Sequence, residues 1–283
     1  MKKIFKRLIV FFTGVPLLLL VILFFPQKNH LLMNLVIVVF TVLGAVEFRN
    51  ILSHKNPVIS LPETILLGAL SPAAWTLVVS FGIGRYIVPV LLIIGASWLI
   101  ISRIFSSQEK LDSYIGYTTS GLAIMIYPGL FTAWIIRMAT FREAGLVILF
   151  FFLITYFNDA AAWVAGVLFG NNNRGIVKAS PNKSIAGFIG GQAGSVLIGI
   201  IAVIFFPEAF SSGKMHFILA GVLFGFGTGI AAITGDLCES AIKRSGGVKD
   251  SGSLILGRGG ALDSIDSLIL AAPVYYFLYR IIF

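Results

Sequence analysis

Apolar residues in this chain neither alternate nor recur in stripes; they come in long unbroken runs separated by short polar turns. A bilayer-spanning helix needs roughly 20 mainly apolar residues. Nine runs approach that length: Leu8–Phe25, Leu31–Phe48, Leu61–Ser80, Tyr86–Phe105, Tyr114–Ile136, Gly145–Phe169, Ile185–Phe206, Met215–Gly235 and about Ile265–Tyr279. Barrel strands would alternate, whereas a helix satisfies its own backbone hydrogen bonds in lipid. The pattern therefore predicts an all-α, polytopic integral membrane helical bundle of about nine transmembrane helices. The ninth run is short and begins inside a charged stretch, so its start is the softest boundary.

Composition agrees. With 58% hydrophobic and 12% charged residues, the chain has too few polar side chains to coat a soluble globule. No repeat of fixed period, low-complexity linker or long soluble insertion is visible. The expected organisation is a single membrane domain over 1–283, with 1–140 as lipid-facing scaffold helices and 141–283 carrying the chemistry. If the N-terminus is cytoplasmic, fifteen Lys and Arg fall on the cytoplasmic side and six on the other, which favours that orientation. The formal net charge of +9 is then mostly a topology signal and not a nucleic-acid footprint. The first run is longer than a secretory signal core and lacks a small-residue cleavage site, so a retained span is expected. Cys238 is the single cysteine, which excludes an internal disulfide, and His30, His54 and His216 are far apart in sequence.

Three segments resist an explanation from lipid solvation. In YFNDAAAWVAGVLFGNNNRG, Asp159 lies ten residues before Phe169, or roughly 15 Å into the hydrocarbon at ~1.5 Å per residue. An acid at that depth is costly unless it faces a wet or charged cavity, which makes it a functional candidate. In ASPNKSIAGFIGG, Pro181 breaks the chain, Lys183 and Ser184 supply donors, and the amides opening the next helix favour anions. The third segment is GDLCESAIKRSGGVKDSGSLILGRGGALDSIDS. The chain has only twelve Asp and Glu, and five of them, Asp236, Glu239, Asp250, Asp263 and Asp266, stand here among Lys243, Arg244, Lys249 and Arg258. If the eighth helix continues through it, Asp236, Glu239, Ser240 and Lys243 share one face. Asp263 and Asp266 are likewise one turn apart, and the intervening glycine pairs read as a loop whose backbone can approach a ligand closely. Carboxylates in that setting suit a hard cation such as Mg²⁺, which takes one or two protein carboxylates and leaves the rest to water and phosphate.

These residues resemble the signature of the phosphatidate cytidylyltransferase (CDP-diacylglycerol synthase) family. The family pattern S-x-x-K-R, K-D-x-G and G-H-G-G-x-x-D-R-x-D is matched at Ser240, Lys243, Arg244, Lys249, Asp250, Gly252, Gly259, Gly260, Asp263 and Asp266. NDAAAWVAGVLFG and SPNKS resemble two further family segments in the expected order, so the likeness spans about 155 to 270. Three positions depart from the pattern: Arg258 stands where the family has His, Ser264 where it has Arg, and Ala186 where it has Glu. Arg258 is expected to take over the charge role of the arginine missing at 264.

The resemblance implies a bacterial inner-membrane enzyme, its active site facing the cytoplasm, that condenses CTP with phosphatidate and releases pyrophosphate. Two anions must meet, so catalysis of this kind is mostly positioning and charge neutralisation. The implied catalytic set is Asp236, Asp263, Lys243, Arg244, Lys249, Asp250 and Asp266, with Asp236 and Asp263 as Mg²⁺ ligands and room for a second metal ion. The implied substrate contacts are Asp159, Ser180, Lys183, Ser184, Ser240, Arg258, Gly259 and Gly260. Expected partners are CTP, phosphatidate and membrane lipids, and no nucleic acid. The spacing of Gly221 and Gly225 permits close helix contact, within one bundle or in a homodimer. Two competing readings are an ion-coupled transporter and a catalytically silent relative that binds anionic lipid.

Overall fold

The computed structural model describes residues 13–283 apart from 15, 106, 214 and 256–258, with side chains left undescribed at 109 and 110. Residues 8–12 and 15 of the first predicted span lie outside the described residues, as does Arg258. What is described is helical: α1 (16–24), α2 (Gln27–Ser53), α3 (Leu61–Phe81), α4 (Ile87–Ile101), α5 (Gln108–Asp112), α6 (Tyr114–Ile124), a π-turn over Met125–Leu130, α7 (Phe131–Met138), α8 (Ala144–Phe169), α9 (Ile185–Phe205), α10 (Phe217–Ser245) and α11 (Leu262–Ile282). Extended pairing among the described residues is confined to two isolated bridges, Arg174 with Ser184 and Ile255 with Gly259.

Seven helical segments are long and apolar enough to cross a membrane, counting Tyr114–Met138 as one. The predicted span Tyr86–Phe105 contracts to the 15-residue α4, about 22 Å at ~1.5 Å per residue, so nine full spans are not seen among the described residues. Two boundaries near the charged stretch move. α10 continues past Gly235 to Ser245, and α11 begins at Leu262, not Ile265.

The chain divides into two compact units. The first joins Met1–Arg137 to Ile242–Ile265; the second joins Met138–Ala241 to Asp266–Phe283. The loop after α10 thus clusters with the N-terminal helices, a grouping distinct from the expected division after residue 140.

In the first unit α2 packs on α3, and α3 on α4 and the π-turn. Ser60 caps α3 in a reciprocal box with Glu63, and Gly82 closes the helix at φ 71°, a conformation open to glycine without steric cost. Glu63 also accepts hydrogen bonds from Tyr117 Oη and from Trp98 Nε1, the latter at 3.1 Å. The π-turn contains Pro128, which has no N–H for the regular ladder. At the other end of α2, Lys28, Asn29 and His30 are left-handed (φ 50°, 53° and 58°), so the right-handed helix starts beside the predicted Leu31. Asn29 Nδ2 donates to Val79 O at 2.7 Å and Asn34 Nδ2 to Asn29 O at 3.0 Å, holding that reversal.

In the second unit α8 packs on α9, and α9 meets α10 backbone to backbone. A Cβ at Gly221 would lie 3.0 Å from Ile200 Cα, and one at Gly225 would lie 2.8 Å from Val196 Cα. Gly221 and Gly225 therefore serve a contact within the chain, where small residues let helices gain dispersion energy and close fit in lipid. Gly235 does the same for α10 and α11, its Cβ position lying 2.5 Å from Asp266 O. Far along α10 from Asp236, Phe210, Phe224, Tyr275, Tyr279 and Phe283 form an aromatic cluster.

Candidate functional site

The sequence-predicted residues fall into two clusters, one in each unit. In the first unit α10 ends in a Schellman motif: Gly247 is left-handed at φ 74°, its N–H donates to Arg244 O at 3.1 Å, and Val248 N–H donates to Lys243 O at 2.9 Å. This is the work of the first glycine pair, because an αL residue is needed where the chain leaves the helix. Lys243 points to Asp263, its Nζ 2.5 Å from Oδ1, with both side chains largely buried. The other oxygen, Oδ2, accepts from Ser251 N–H (2.9 Å), Ser251 Oγ (2.9 Å) and Gly260 N–H (2.8 Å). Ile255 and Gly259 exchange two backbone bonds (2.8 and 3.1 Å) that close the tip of the loop. Gly259 is at φ 117°, and a Cβ there would collide with Asp263.

The start of α11 has its orphan donors satisfied in an unforeseen way. Ala261 N–H donates to Glu47 Oε1 at 2.9 Å and Leu262 N–H to Glu47 Oε2 at 2.8 Å, while Asp263 N–H reaches Ser251 Oγ at 3.3 Å. Ser251 Oγ also stands 2.9 Å from Glu47 Oε2. With Gly260 bonded to Asp263, the opening amides of the helix are taken, by two carboxylates and a serine. Sequence reading passed over Glu47. The available signal was an acid, in AVEFRN, one residue before the end of a predicted span. Lys249, Asp250 and Arg244 are exposed, and Arg244 Nη1 donates to Val248 O at 3.2 Å.

The second cluster lies where α8, α9, α10 and α11 meet. Lys183 Nζ is 2.5 Å from Asp236 Oδ2, each side chain about a quarter exposed. Asp266 is close enough to Asp236, Glu239 and Asp159 for their charges to act on it. Ser267 Oγ donates to Asp159 at 3.2 Å, and Ser267 N–H to Asp266 Oδ1 at 2.6 Å. Glu239 is fully buried and Ser240 nearly so. The predicted shared face of α10 thus exists, because that helix does continue.

The opening of α9 differs from expectation. Its amides were expected to be free for an anion, but Ser184 Oγ accepts from Gly187 N–H at 3.0 Å, Asn173 O from Ile185 N–H at 3.0 Å, and Asn173 Oδ1 from Ala186 N–H at 3.4 Å. Asn173, from the NNN turn, occupies the place an anion would take. Ser180 shapes the preceding turn, its carbonyl accepting from Lys183 N–H at 3.1 Å.

Among the described residues no three His, Cys, Asp or Glu side chains form a ready metal-ligand set. The donors still fit a hard cation that keeps most of its water. Asp236, Glu239 and Asp159 are near enough to act on Asp266 in the second unit, and Mg²⁺ asks for only one or two protein carboxylates. Asp263 fits less readily, since Oδ2 already accepts three hydrogen bonds and Oδ1 is held by Lys243.

A 150-residue stretch is 39% identical to the uncharacterized protein YnbB of Escherichia coli (strain K12), covering 52% of this chain and 48% of that one. A 139-residue stretch is 36% identical to the phosphatidate cytidylyltransferase of Synechocystis sp. (strain ATCC 27184 / PCC 6803 / Kazusa), covering 49% and 45%. A third, of 176 residues, is 32% identical to the phosphatidate cytidylyltransferase of Thermotoga maritima, covering 62% and 64%. The matches span about half the length of the first two relatives. The model of the cytidylyltransferase family matches residues 5–282, and with that match over nearly the whole sequence the chain belongs to the cytidylyltransferase family.

Proposed function

We propose that the chain condenses CTP with phosphatidate, giving CDP-diacylglycerol and pyrophosphate, at the cytoplasmic face of a bacterial inner membrane. A phosphate oxygen of phosphatidate attacks the α-phosphorus of CTP, and the bond from that phosphorus to the bridging oxygen of the β-phosphate breaks. A phosphate monoester is a competent nucleophile near neutral pH, so no nucleophilic side chain is needed. Bringing two anions together is the obstacle, and charge neutralisation is the remedy.

The observation that carries this reading is the pairing of motif lysines with motif carboxylates, Lys183 with Asp236 and Lys243 with Asp263, both at 2.5 Å. Lys183 would turn from Asp236 to an incoming phosphate, which leaves that carboxylate available to a cation. Asp236 is the first proposed Mg²⁺ ligand, with Asp266 beside it, whereas Asp263, engaged at both oxygens, holds the loop. A bound Mg²⁺ would neutralise phosphate charge and polarise the α-phosphorus. Arg244, Lys249 and Arg258 hold the nucleotide phosphates from the loop. Asp250 orients Lys249, and Ser240 supports the base of the site. Asp159 and Ser267 line the membrane-embedded end of the Asp236 cluster and would face the lipid substrate.

Pyrophosphate release from purified protein supplied with CTP, phosphatidate and Mg²⁺ tests the proposal. Release that requires all three supports it. Ion flux in liposomes without release would indicate a carrier, and lipid binding with neither would indicate a silent relative.

A further inference from the structure

We infer that Glu47, far from the signature in sequence, is a positioning residue for the loop that follows α10; this rests on the activity proposed above. Two backbone donors of the loop, Ala261 N–H at 2.9 Å and Leu262 N–H at 2.8 Å, converge on its carboxylate, and the Ser251 hydroxyl, with one proton between Glu47 and Asp263, stands 2.9 Å from it. Both ends of the loop are thereby held by one side chain, and Ser251 passes the constraint to Asp263 Oδ2.

The rest of that α2 face is shaped for the same contact. Gly44, one turn before Glu47, leaves room for Leu262 and Ile265, whose side chains would stand 3.5 and 3.3 Å from a Cβ there. Ile51, one turn after, fills the space beside Gly246, where a Cβ would lie 2.6 Å from Ile51 Cγ2. Residues at this spacing share a helix face. The loop is cut to fit Glu47 in turn. A Cβ at Gly252 would meet Glu47 first, 2.5 Å from Oε1 and 2.9 Å from Cδ, and one at Gly260 would collide with Glu47 and Ser251. Two glycines of the signature therefore make way for a carboxylate that lies outside it.

A carboxylate is needed here because the site offers only donors. Glutamine can accept at one oxygen but must turn its NH₂ toward Ala261 N–H or toward Leu262 N–H and Ser251, leaving donors facing donors. Aspartate keeps the charge but is one methylene short. Both substitutions free the loop without emptying the core.

The test uses the full-length protein in detergent or nanodiscs. In Glu47→Gln, amide exchange over residues 250–262 is expected to rise while exchange in α3 and α8 and the Tm stay at wild-type values. Misplacement of a catalytic loop by about 1 Å can lower turnover ~10²-fold, so kcat/KM for CTP is expected to fall by about 10- to 100-fold. Gly252→Ala, which clashes with Glu47, is expected to lower kcat in the wild type and to cost less in a Glu47→Asp background, where the shorter side chain vacates that space. Wild-type exchange in the loop of Glu47→Gln would overturn the inference, as would a general rise in exchange with a lower Tm, or strict additivity of the Gly252 and Glu47 effects. The exchange readout needs no turnover, so absence of pyrophosphate release from the wild type would remove the proposed reaction while leaving the role of Glu47 decided.

Discussion

The pairs Lys243–Asp263 and Lys183–Asp236 share a 2.5 Å separation, but they sit in opposite electrostatic settings. Asp263 is hydrogen-bonded to a lysine, a hydroxyl and two amides that together lock a loop. Around Asp236 the neighbours include acids, since Asp266 feels Asp236, Glu239 and Asp159 together. A carboxylate surrounded by donors is a structural fastener that works in the empty protein. Carboxylates gathered beside one another repel, and a proton or a cation relieves the repulsion. The same residue type thus stands in two settings, holding shape in one unit and, on the proposed reading, storing charge for a cation in the other.

Substitutions can break that contrast, the most severe first. Asp236→Asn should lower kcat by about 10³-fold, the scale expected on losing a group that stabilises developing charge, and should leave loop amide exchange untouched; turnover and exchange measured on the same sample check it. Asp263→Asn should lower kcat by about 10²-fold and, unlike Asp236→Asn, should also raise exchange between 250 and 262, because its amide NH₂ faces donors. Equal loop exchange in the two variants would erase the distinction between fastener and charge store.

Milder changes sharpen it. Arg258→Ala should lower kcat/KM for CTP by about 10-fold, as removal of one charge-assisted phosphate contact does; unchanged turnover would show that nothing at 258 compensates for Ser264. Gly225→Ala should affect activity least. Its Cβ would press on Val196 Cα at 2.8 Å, an overpacking that costs about 1–3 kcal/mol, so a lower Tm with near-normal kcat per folded molecule is expected from a thermal melt combined with the assay.

Much of this was legible along the chain. Runs of apolar residues located the helices, since lipid admits few backbone solutions, and most boundaries moved by only a few residues. Where they moved further the cause is tertiary. α10 reaches Ser245 because its polar last turns pack through Gly246 and Lys243, and α11 starts at Leu262 because Glu47 caps it. The glycine pairs were read as letting a ligand come close; in this structure the second pair is approached by Asp263 and Glu47 of the same chain, while the first ends α10, Gly246 against Ile51 and Gly247 in the left-handed turn. The α9 amides were misjudged because Asn173, eleven positions before Ser184, folds back on them.

Residue order settled the membrane class, the all-α architecture and the chemical cast of the signature, because each depends on local composition and on fixed spacing along a helix. Which acid fastens and which stores charge, and that Glu47 matters at all, depends on contacts across more than 200 positions of sequence, such as Glu47 with Ala261 and Leu262. A single Glu among apolar neighbours carries no mark of its partner; the fold supplies one by aiming two amides and a shared hydroxyl at it.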